Sequence, residues 1–202
     1  MKPRDIPAVI SQGRGDLRFV LASASPRRLE LLKQAGLAPL RIVAPEIDET
    51  PKRGELPRAY AMRMAAAKAE IIAKQETAVF VLAADTVVAV GRRILPKAST
   101  AEDVARCLRL LSGRRHQVMT AIALAVPHQK PRTRIVTTRV AFKVLTAAEI
   151  EAYCAAGEGL GKAGGYAVQG RAEAFVRFIN GSYSNVVGLP LYETIALLKG
   201  SE

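Results

Sequence analysis

The sequence predicts a mixed α/β protein, with a long sheet and helices on both of its faces. Continuous apolar runs suit buried strands, stretches rich in Ala and Leu carry helix caps, and the two kinds of segment alternate too irregularly for a strict βαβ series. The chain has 202 residues, of which 50% are hydrophobic and 24% charged, the balance of a globular protein. Its length predicts one large domain or two small lobes that share a core.

The first strand and the first helix are predicted around a serine-rich turn. Residues 17–22 form a short apolar run that suits a buried strand, and the turn leads into a helix over residues 27–35. Ser25 is a suitable N-cap, Pro26 fits the first helical position, and Gly36 ends the helix. A strand therefore leads directly into a helix N-terminus.

The middle of the chain is predicted to alternate strands with one long helix. A second strand over residues 41–44 is followed by a polar loop and then by a helix rich in Ala and Met over residues 57–74. The apolar run 79–84 is predicted to be a strand that ends at Asp85, and a hairpin follows over residues 87–95.

Two capping signals and two long strands organise the second half. Thr100 with Asp103 predicts a helix to about residue 111, and Thr146 with Glu149 predicts a helix through residue 156. The remaining predicted elements are two long antiparallel strands, a glycine-rich segment, a strand, an Asn-Gly turn and a final helix, at residues 117–126, 134–145, 157–170, 174–179, 180–181 and 191–198.

The chain is strongly basic. Its 30 Lys and Arg against 18 Asp and Glu give a formal net charge of +12. Residues 106–148 contain nine basic side chains and no acidic one, which suits nucleic acid, but they hold no aromatic cluster for stacking bases, and the chain has no Trp. We therefore favour a solvated basic face, or a field that concentrates small anions, over polynucleotide binding.

No segment is predicted to enter or cross a membrane. No apolar run reaches the roughly 18 residues that a spanning helix needs, and residues 1–18 lack the apolar region of a signal peptide. We expect a cytoplasmic protein in which residues 1–18 form a poorly ordered N-terminal extension and residues 19–202 form one domain. Cys107 and Cys154 lie in predicted helices without a CxxC pair and are expected to be buried thiols.

The turn between the first strand and helix is the strongest candidate for an anion site. A helix N-terminus exposes unpaired backbone N–H groups and a partial positive charge. Ser23, Ser25, Arg27 and Arg28 surround this point, and a guanidinium can donate two hydrogen bonds to one phosphate. The alternative is an N-cap serine beside two solvated arginines, and spacing alone leaves both open.

Carboxylates and lysines elsewhere could complete a phosphate site. Asp85 closes an apolar strand, where open α/β sheets place ligands, although Asp also ends strands simply by starting a turn. Beside a phosphate, its carboxylate could hold a divalent cation or take a proton from water. Asp48 and Glu49 could add a metal ligand, and Lys68 and Lys97 could supply positive charge, but such residues are more often solvated.

Several catalytic motifs are absent from the sequence. The string closest to a GxxxxGK[ST] phosphate loop, residues 157–163, has the wrong spacing, and there is no GxSxG or HExxH motif. His116 and His128 are the only histidines, which excludes a multi-histidine metal site. The remaining reactive groups are carboxylates, Arg, Lys and hydroxyls, and these suit phosphate hydrolysis with Mg²⁺ better than zinc or serine hydrolysis.

Four strings resemble, in order, signatures of the Maf family of nucleoside triphosphate pyrophosphatases. LASASPRR at residues 21–28 is similar to the family's SxSxRR signature, and ADTVV at residues 84–88 to its ADT segment. GYAVQG at residues 165–170 resembles its GYxxQG string, and NGSYSNVVGLP at residues 180–190 its C-terminal signature. The resemblance runs from about residue 19 to residue 198.

This resemblance implies a fold, an activity and a set of site residues. The fold is an α/β sheet around a central cleft between two lobes, related to inosine-triphosphate pyrophosphatases, and members usually act as cytoplasmic homodimers. The activity is hydrolysis of a nucleoside triphosphate to the monophosphate and pyrophosphate, helped by a divalent cation, Mg²⁺ or Mn²⁺. By motif, Asp85 would accept a proton from water, and Glu49 would help it to hold the metal or order the water. The implied phosphate ligands are Ser23, Arg27, Arg28, Lys68 and Lys97.

The resemblance also implies a base preference. Thr86 and Gln169 mark the branch that prefers dTTP and UTP, with modified pyrimidine nucleotides as further candidates, and Arg27 belongs to the same specificity set. A Gln amide offers an acceptor and donors, enough for the N3–H and O4 edge shared by thymine and uracil. The alternatives are a pyrophosphatase for 7-methyl-GTP, whose branch has Gln after the Asp, and a nucleotide-sensing protein that binds nucleic acid or the division machinery.

The sequence departs from the family pattern at two positions. Ala98 follows Lys97 where the family usually has Pro, and Gly161 precedes Lys162 where the family has Asp. The first change is expected to loosen the backbone near Lys97, and the second removes a carboxylate from the loop before Tyr166.

Overall fold

The computed structural model describes residues 18–76, 78–127 and 129–200. Its strands are β1 (Phe19–Ala22), β2 (Arg41–Val43), β3 (Phe80–Val90), β4 (Arg93–Leu95), β5 (Arg115–Ala125), β6 (Arg132–Phe142) and β7 (Val176–Asn180). Its helices are α1 (Pro26–Gln34), α2 (Pro57–Ala73), α3 (Ala101–Leu111), α4 (Ala147–Ala155), α5 (Tyr183–Val187) and α6 (Leu191–Lys199), with a 3₁₀ turn at Arg171–Phe175. The predicted helices and strands are present, except that the strand predicted over residues 79–84 and the first arm of the hairpin predicted over residues 87–95 form one strand, β3. The 3₁₀ turn and α5 are additional.

The strands join into one mixed sheet. Their order is β2-β1-β3-β5-β6-β7, and β4 pairs with the C-terminal end of β3. β1 runs parallel to both of its neighbours, whereas the pairs from β3 to β7 are antiparallel. β3, β5 and β6 each have 11 residues, so the antiparallel centre extends well beyond the short parallel edge.

Helices cover both faces of the sheet, which confirms the predicted fold class. Alternate residues of β1 and β3, among them Val20 and Val81, pack under α2, whose buried residues include Ala61 and Met64. The intervening residues, such as Leu21, pack with α1 and α6 on the other face. A third cluster joins α3 and α4 to the far halves of β3, β5 and β6. This alternation follows from the two-residue period of a strand.

The prediction that a strand ends at Asp85 is wrong. β3 continues through Asp85 because β5 pairs with it along nearly its whole length, while β1 stops at Ala22, opposite Ala83. Among the described strands, nothing pairs with that side of β3 again until β4 meets Val88. Asp85 and Thr86 lie in this gap, where the sheet has room for a ligand.

The predicted capping boxes are confirmed at α3 and α4. Thr100 Oγ1 accepts a hydrogen bond from Asp103 N at 3.1 Å, and Asp103 Oδ2 accepts one from Thr100 N at 3.1 Å. Thr146 and Glu149 form the same reciprocal pair at α4. Ser25 precedes α1 as predicted, but its side chain makes no capping hydrogen bond. The first turn of α1 therefore has no side-chain cap.

Some predictions fall outside the described residues or are only partly met. The N-terminal extension predicted over residues 1–18 lies outside them except for Arg18, and the single domain over residues 19–202 stays a prediction. Cys107 is buried as predicted, whereas Cys154 is only partly buried, at the edge where α4 meets the start of α3; both thiols are free. In the part of the chain that the structure describes, no helix is long and apolar enough to cross a membrane.

Candidate active site

A cavity of about 390 Å³ opens beside the middle of β3. It is bordered by the β1–α1 turn, α2, β3, the end of α5 and the glycine-rich segment (residues 157–170). Asp48 does not line it; this carboxylate is exposed, and its Oδ1 accepts a hydrogen bond from Thr50 N at 2.8 Å. The cavity brings together the other predicted site residues, which are Ser23, Arg27, Arg28, Glu49, Lys68, Asp85, Thr86, Lys97 and Gln169.

Arg28 is fixed in the cavity wall by three hydrogen bonds to uncharged groups. Its Nε donates to Gly188 O at 2.8 Å, its Nη1 to Ser23 Oγ at 2.9 Å and its Nη2 to Thr86 Oγ1 at 3.3 Å. Burial lowers the pKa of the guanidinium, and the carboxylate of Asp85 counteracts this. Arg28 is thus oriented without being neutralised by a contacting carboxylate, and it has N–H groups to spare for a ligand.

Arg27, its neighbour, forms no hydrogen bond or ion pair with the described residues. It is partly buried in the same cavity, and burial lowers the pKa of its guanidinium. Beside it the turn is folded by a hydrogen bond from Ser25 N to Ser23 Oγ at 3.1 Å, and α1 begins without a side-chain cap. An unpaired guanidinium at a helix N-terminus is suited to an anionic ligand.

Asp85 stands at one end of a chain of alternating charges. Lys68 Nζ lies 2.6 Å from Asp85 Oδ1 and 2.6 Å from Glu49 Oε1, and Lys97 Nζ lies 2.5 Å from Glu49 Oε2. Lys68 is 6% exposed and Asp85 3%, so the inner ion pair is almost excluded from bulk water. Burial raises the pKa of Glu49, but hydrogen bonds from Lys68 and Lys97 outweigh it and lower the pKa to about 2.

Successive residues of β3 direct their side chains to opposite faces of the sheet. Asp85 lies on the face of Ala83 and Val87, which packs against α2 and so meets Lys68. Thr86 lies on the other face, where its Oγ1 is 3.0 Å from Thr120 Oγ1. Within the described residues, Asp85 shares the cavity with both arginines but forms its ion pair with Lys68 instead.

Sequence analysis missed the polar network behind Arg28. Asn185 is fully buried; its Oδ1 accepts from Thr120 N at 3.2 Å and its Nδ2 donates to Thr138 Oγ1 at 2.9 Å. Thr120 in turn contacts Thr86, which receives the hydrogen bond from Arg28. The network ties α5 to β5 and β6 and orients the guanidinium. The one available signal was the position of Asn185 within the C-terminal string.

Ala98 ties the opposite wall of the cavity to the segment around Lys97. Ala98 is fully buried, its N donates to Lys162 O at 3.1 Å, and its O accepts from Gly161 N at 2.8 Å. The N–H that a proline at this position would lack donates the first of these bonds, and the expected loosening of the backbone stays a prediction. The bonds place Lys97 and Lys162 on adjacent stretches of backbone.

Lys162 is a second cavity residue that sequence analysis did not select. It lines the wall formed by the glycine-rich segment, and burial, with the nearby charge of Arg27, lowers its pKa. Its string was compared with a phosphate loop and with the family pattern, and neither comparison gave the lysine itself a role. On the same wall Gln169 is exposed, and its amide has no hydrogen-bond partner among the described residues.

The two cavity carboxylates are of the ligand type that a hard divalent cation takes. Asp85 and Glu49 each direct one oxygen to the same point, which is held by Lys68 Nζ. Mg²⁺ commonly takes one or two carboxylates and completes its shell with water and substrate phosphates. The described residues contain no group of three or more His, Cys, Asp and Glu that could hold a metal ion, so phosphate and water would have to supply the remaining ligands.

Comparisons with known proteins find a family model and similar proteins along most of the chain. The family model described as Maf-like protein matches residues 18–201. A protein of Sphingopyxis alaskensis named dTTP/UTP pyrophosphatase is 62% identical over 180 residues, covering 89% of this chain and 94% of its own. Proteins of the same name from Bradyrhizobium diazoefficiens and Caulobacter vibrioides are 59% and 58% identical, over 92% and 90% of this chain and 92% and 94% of their own.

Solved structures offer a more distant similarity. The Staphylococcus aureus Ham1 protein matches with a TM-score of 0.44 and 18% identity, over 62% of this chain and 71% of its own.

Proposed function

The chain belongs to the Maf family, and from that premise we propose that it is a nucleoside triphosphate pyrophosphatase that hydrolyses dTTP and UTP to the monophosphate and pyrophosphate. The observation that carries the proposal is the single cavity in which the Asp85 carboxylate lies with Arg27 and Arg28. Relatives that are 56% to 62% identical and bear the name dTTP/UTP pyrophosphatase support it.

The triphosphate binds across the charged end of the cavity. Arg28 is pre-oriented by uncharged partners, so its positive charge is available to phosphate oxygens, and Arg27 is free to donate to them from the helix N-terminus. Lys97 and Lys162, on adjacent backbone stretches, extend this positive surface. Fixed cations of this kind supply electrostatic stabilisation without reorganising during the reaction.

Asp85 accepts the proton of the attacking water. The water oxygen forms a bond to the α-phosphorus, the bond from that phosphorus to the α–β bridging oxygen breaks, and the electron pair leaves with pyrophosphate. Lys68, at 2.6 Å, orients the carboxylate, and Glu49 holds Lys68 from the other side. A divalent cation, Mg²⁺ or Mn²⁺, bound by Asp85 and Glu49 would neutralise charge that develops on the phosphate oxygens.

Gln169 recognises the base. Its amide has no partner among the described residues, so it is free to pair with the N3–H and O4 edge of uracil or thymine. Thr86 acts differently, because its hydroxyl is already engaged by Arg28 and Thr120. It is therefore a positioning residue for Arg28, whereas Arg27 binds the phosphate chain, which every nucleoside triphosphate shares.

The test is a substrate panel in ¹⁸O-labelled water. The purified protein is mixed with dTTP, UTP, CTP, GTP and 7-methyl-GTP, each with Mg²⁺ or Mn²⁺, and pyrophosphate and monophosphate are quantified. We expect pyrophosphate chiefly from dTTP and UTP, with the label in the monophosphate because water attacks the α-phosphorus. Label in the pyrophosphate would contradict this mechanism, and preference for 7-methyl-GTP would contradict the base assignment.

A measurement of DNA binding beside this assay tests the nucleic-acid-binding alternative. Salt-sensitive DNA binding without any pyrophosphate would overturn the enzymatic proposal. In the basic stretch (residues 106–148), three of the nine basic side chains form ion pairs with acidic side chains just outside the stretch. These ion pairs leave less positive charge for binding nucleic acid. These ion pairs are Arg106 with Asp103, Arg109 with Glu102, and Lys143 with Glu149.

A cytoplasmic homodimer remains part of the proposal. Light scattering of the purified protein tests the oligomeric state, and cell fractionation tests the location.

A further inference from the structure

We propose that His116 and Tyr166 are a positioning pair that fixes the glycine-rich segment (residues 157–170), and with it Gln169, for base recognition. The inference rests on the proposed function, since it concerns which nucleotide that site prefers. Its starting point is a buried histidine that the proposed mechanism does not use. His116 lies on β5, is 2% exposed, and does not line the cavity.

His116 meets the glycine-rich segment through one hydrogen bond. Its Nε2 lies 2.8 Å from the hydroxyl of Tyr166, which is itself 6% exposed and does line the cavity. The rings of His116, Tyr166 and Phe142 pack edge to face, with centroids 4.9 to 5.5 Å apart. Tyr166 thus connects the cavity wall to the core of the sheet.

The surroundings of His116 decide which group donates this bond. Its Nδ1 is buried without a hydrogen-bond partner, and burial lowers the pKa of the ring to about 4, so the ring is neutral at pH 7. If Nδ1 carries the proton, Tyr166 donates to Nε2 and only one polar group stays unpaired. If Nε2 carries it, both Nδ1 and the tyrosine proton stay unpaired. Since unpaired buried groups are costly, His116 acts as the acceptor and Tyr166 as the donor.

A second buried phenol holds the next residue of the segment. Ala167 N donates to the hydroxyl of Tyr153 on α4 at 3.0 Å. Residues 166 and 167 are therefore tied to β5 and to α4, two residues before Gln169. Gly164 adds to the close fit, because at its φ of +69° an added Cβ would lie 2.8 Å from Val88 Cγ1.

The glycine-rich segment contains no regular helix or strand. Its backbone near Gln169 is held by single hydrogen bonds and not by a ladder, among them Gly170 N to Ala167 O at 3.1 Å and Arg171 N to Glu158 Oε2 at 2.8 Å. The two side-chain anchors join this short stretch to the sheet and to α4, so the direction of the Gln169 amide depends on them as well. Loss of the hydrogen bond between Tyr166 and His116 should leave the phosphate-binding residues in place and weaken the discrimination between bases. A pair that merely fills the core would alter stability without altering base preference.

The test compares variants that remove or keep the acceptor. Tyr166→Phe and His116→Leu remove the hydrogen bond, whereas His116→Gln keeps an acceptor at that place. We expect the first two to raise KM for UTP about fivefold and to lower the ratio of UTP to GTP kcat/KM by a similar factor, with kcat within about twofold. The double variant should show no further loss, and His116→Gln should retain the wild-type ratio.

Val140→Ala is the matched control, since Val140 is buried in the same cluster and pairs with His116 across the β5–β6 register. It should lower the melting temperature and leave the ratio of UTP to GTP unchanged. An unchanged ratio in folded Tyr166→Phe and His116→Leu, or fully additive losses in the double variant, would overturn the proposal.

Amide hydrogen exchange separates this inference from the proposed function. Residues 157–170 should exchange faster in His116→Leu and Tyr166→Phe than in Val140→Ala or the wild type. If the wild type released no pyrophosphate, the proposed function would fail, and the exchange rates would still test the positioning. Equal exchange in all four proteins would exclude it.

Discussion

The two walls of the cavity are built from different interactions. The charged wall consists of the β1–α1 turn with the chain of ions from Asp85 to Lys97, and side chains from the sheet and α2 hold it together. The neutral wall is the glycine-rich segment, held by backbone hydrogen bonds, glycines and the buried phenols of Tyr153 and Tyr166. The groups proposed for phosphate chemistry lie on the first wall, except for Lys162, which lies on the second wall next to the backbone of Lys97. The base-recognition residue also lies on the second wall.

Because of this difference, the rate of hydrolysis and the preference between bases should be separable in this protein. Every nucleoside triphosphate presents the same phosphates to the charged wall, so changes there should affect all substrates alike. The base edge is presented to the neutral wall, so changes there should affect the ratios between substrates.

The largest expected effect is that of Asp85→Asn. The amide keeps the shape of the side chain but cannot take the proton of water, so kcat should fall about 10²- to 10⁴-fold. The loss should be similar for dTTP, UTP and GTP, with KM changed little. Steady-state kinetics with pyrophosphate detection measures it. Glu55→Gln is the control. Glu55 forms an ion pair with Arg63 at 2.6 Å, and neither residue lines the cavity. Near-normal turnover would contradict the role of Asp85 as proton acceptor, and a loss confined to one base would contradict the division between the two walls.

The stability of the two walls should also depend on pH in different ranges, through His116 behind the neutral wall and Glu49 in the charged wall. Burial lowers the pKa of His116 from 6.5 to about 4, because the folded protein disfavours the charged ring. The contribution of the neutral ring to the free energy of unfolding is therefore complete above pH 6.5 and is lost as the pH falls to 4. This loss amounts to about 3 kcal/mol. Glu49, with its pKa lowered from 4.5 to about 2, contributes fully above pH 4.5 and loses its effect only as the pH falls toward 2.

Thermal unfolding between pH 7 and pH 3 checks this difference. His116→Gln should flatten the dependence of the melting temperature between pH 6.5 and 4 and leave the dependence at lower pH in place. If the melting temperatures of the wild type and His116→Gln changed equally with pH above pH 4, His116 would not be the titrating group.

Arg27 and Arg28 lie on the same charged wall but differ in their partners, because only the side chain of Arg28 forms hydrogen bonds with the described residues. Arg27→Ala removes a side chain that pairs with no described residue, so the melting temperature should hold while KM rises about 10- to 100-fold for every nucleotide. Arg28→Ala removes the hydrogen bonds that the guanidinium donates to Ser23, Thr86 and Gly188 and should cost about 1–3 kcal/mol of stability as well. Kinetics and thermal unfolding of the two variants side by side measure both quantities. A similar loss of stability in both would contradict the difference in their partners.

Much of the fold was predictable because its signals are local. The capping boxes at Thr100 and Thr146 and the apolar runs depend on neighbouring residues, and they gave the elements in order. The end of the strand at Asp85 was predicted wrongly because a charged residue after an apolar run is typical of a turn. Whether such a residue ends a strand depends on a distant partner, here β5, that local sequence does not reveal.

The site residues were predictable by motif, but their partners were not. Lys68 and Asp85 lie 17 residues apart, and His116 and Tyr166 lie 50 apart. A buried ion pair or a buried His–Tyr bond exists only because the sheet and α2 bring these residues together. Lys162 and Asn185 were missed for the same reason, since each is unremarkable until its surroundings are known.

The smallest expected effect, and the most specific, is that of Gln169→Ala. The side chain is exposed on the neutral wall and has no partner among the described residues, so its removal should leave the melting temperature unchanged. The kcat/KM for UTP and dTTP should fall about 5- to 10-fold relative to GTP, because one hydrogen-bonding group that pairs with the base is lost. Competition assays with mixed nucleotides measure this ratio directly. If kcat instead fell equally for all bases, Gln169 would belong with Asp85 in the chemistry, and the division between the two walls would be wrong.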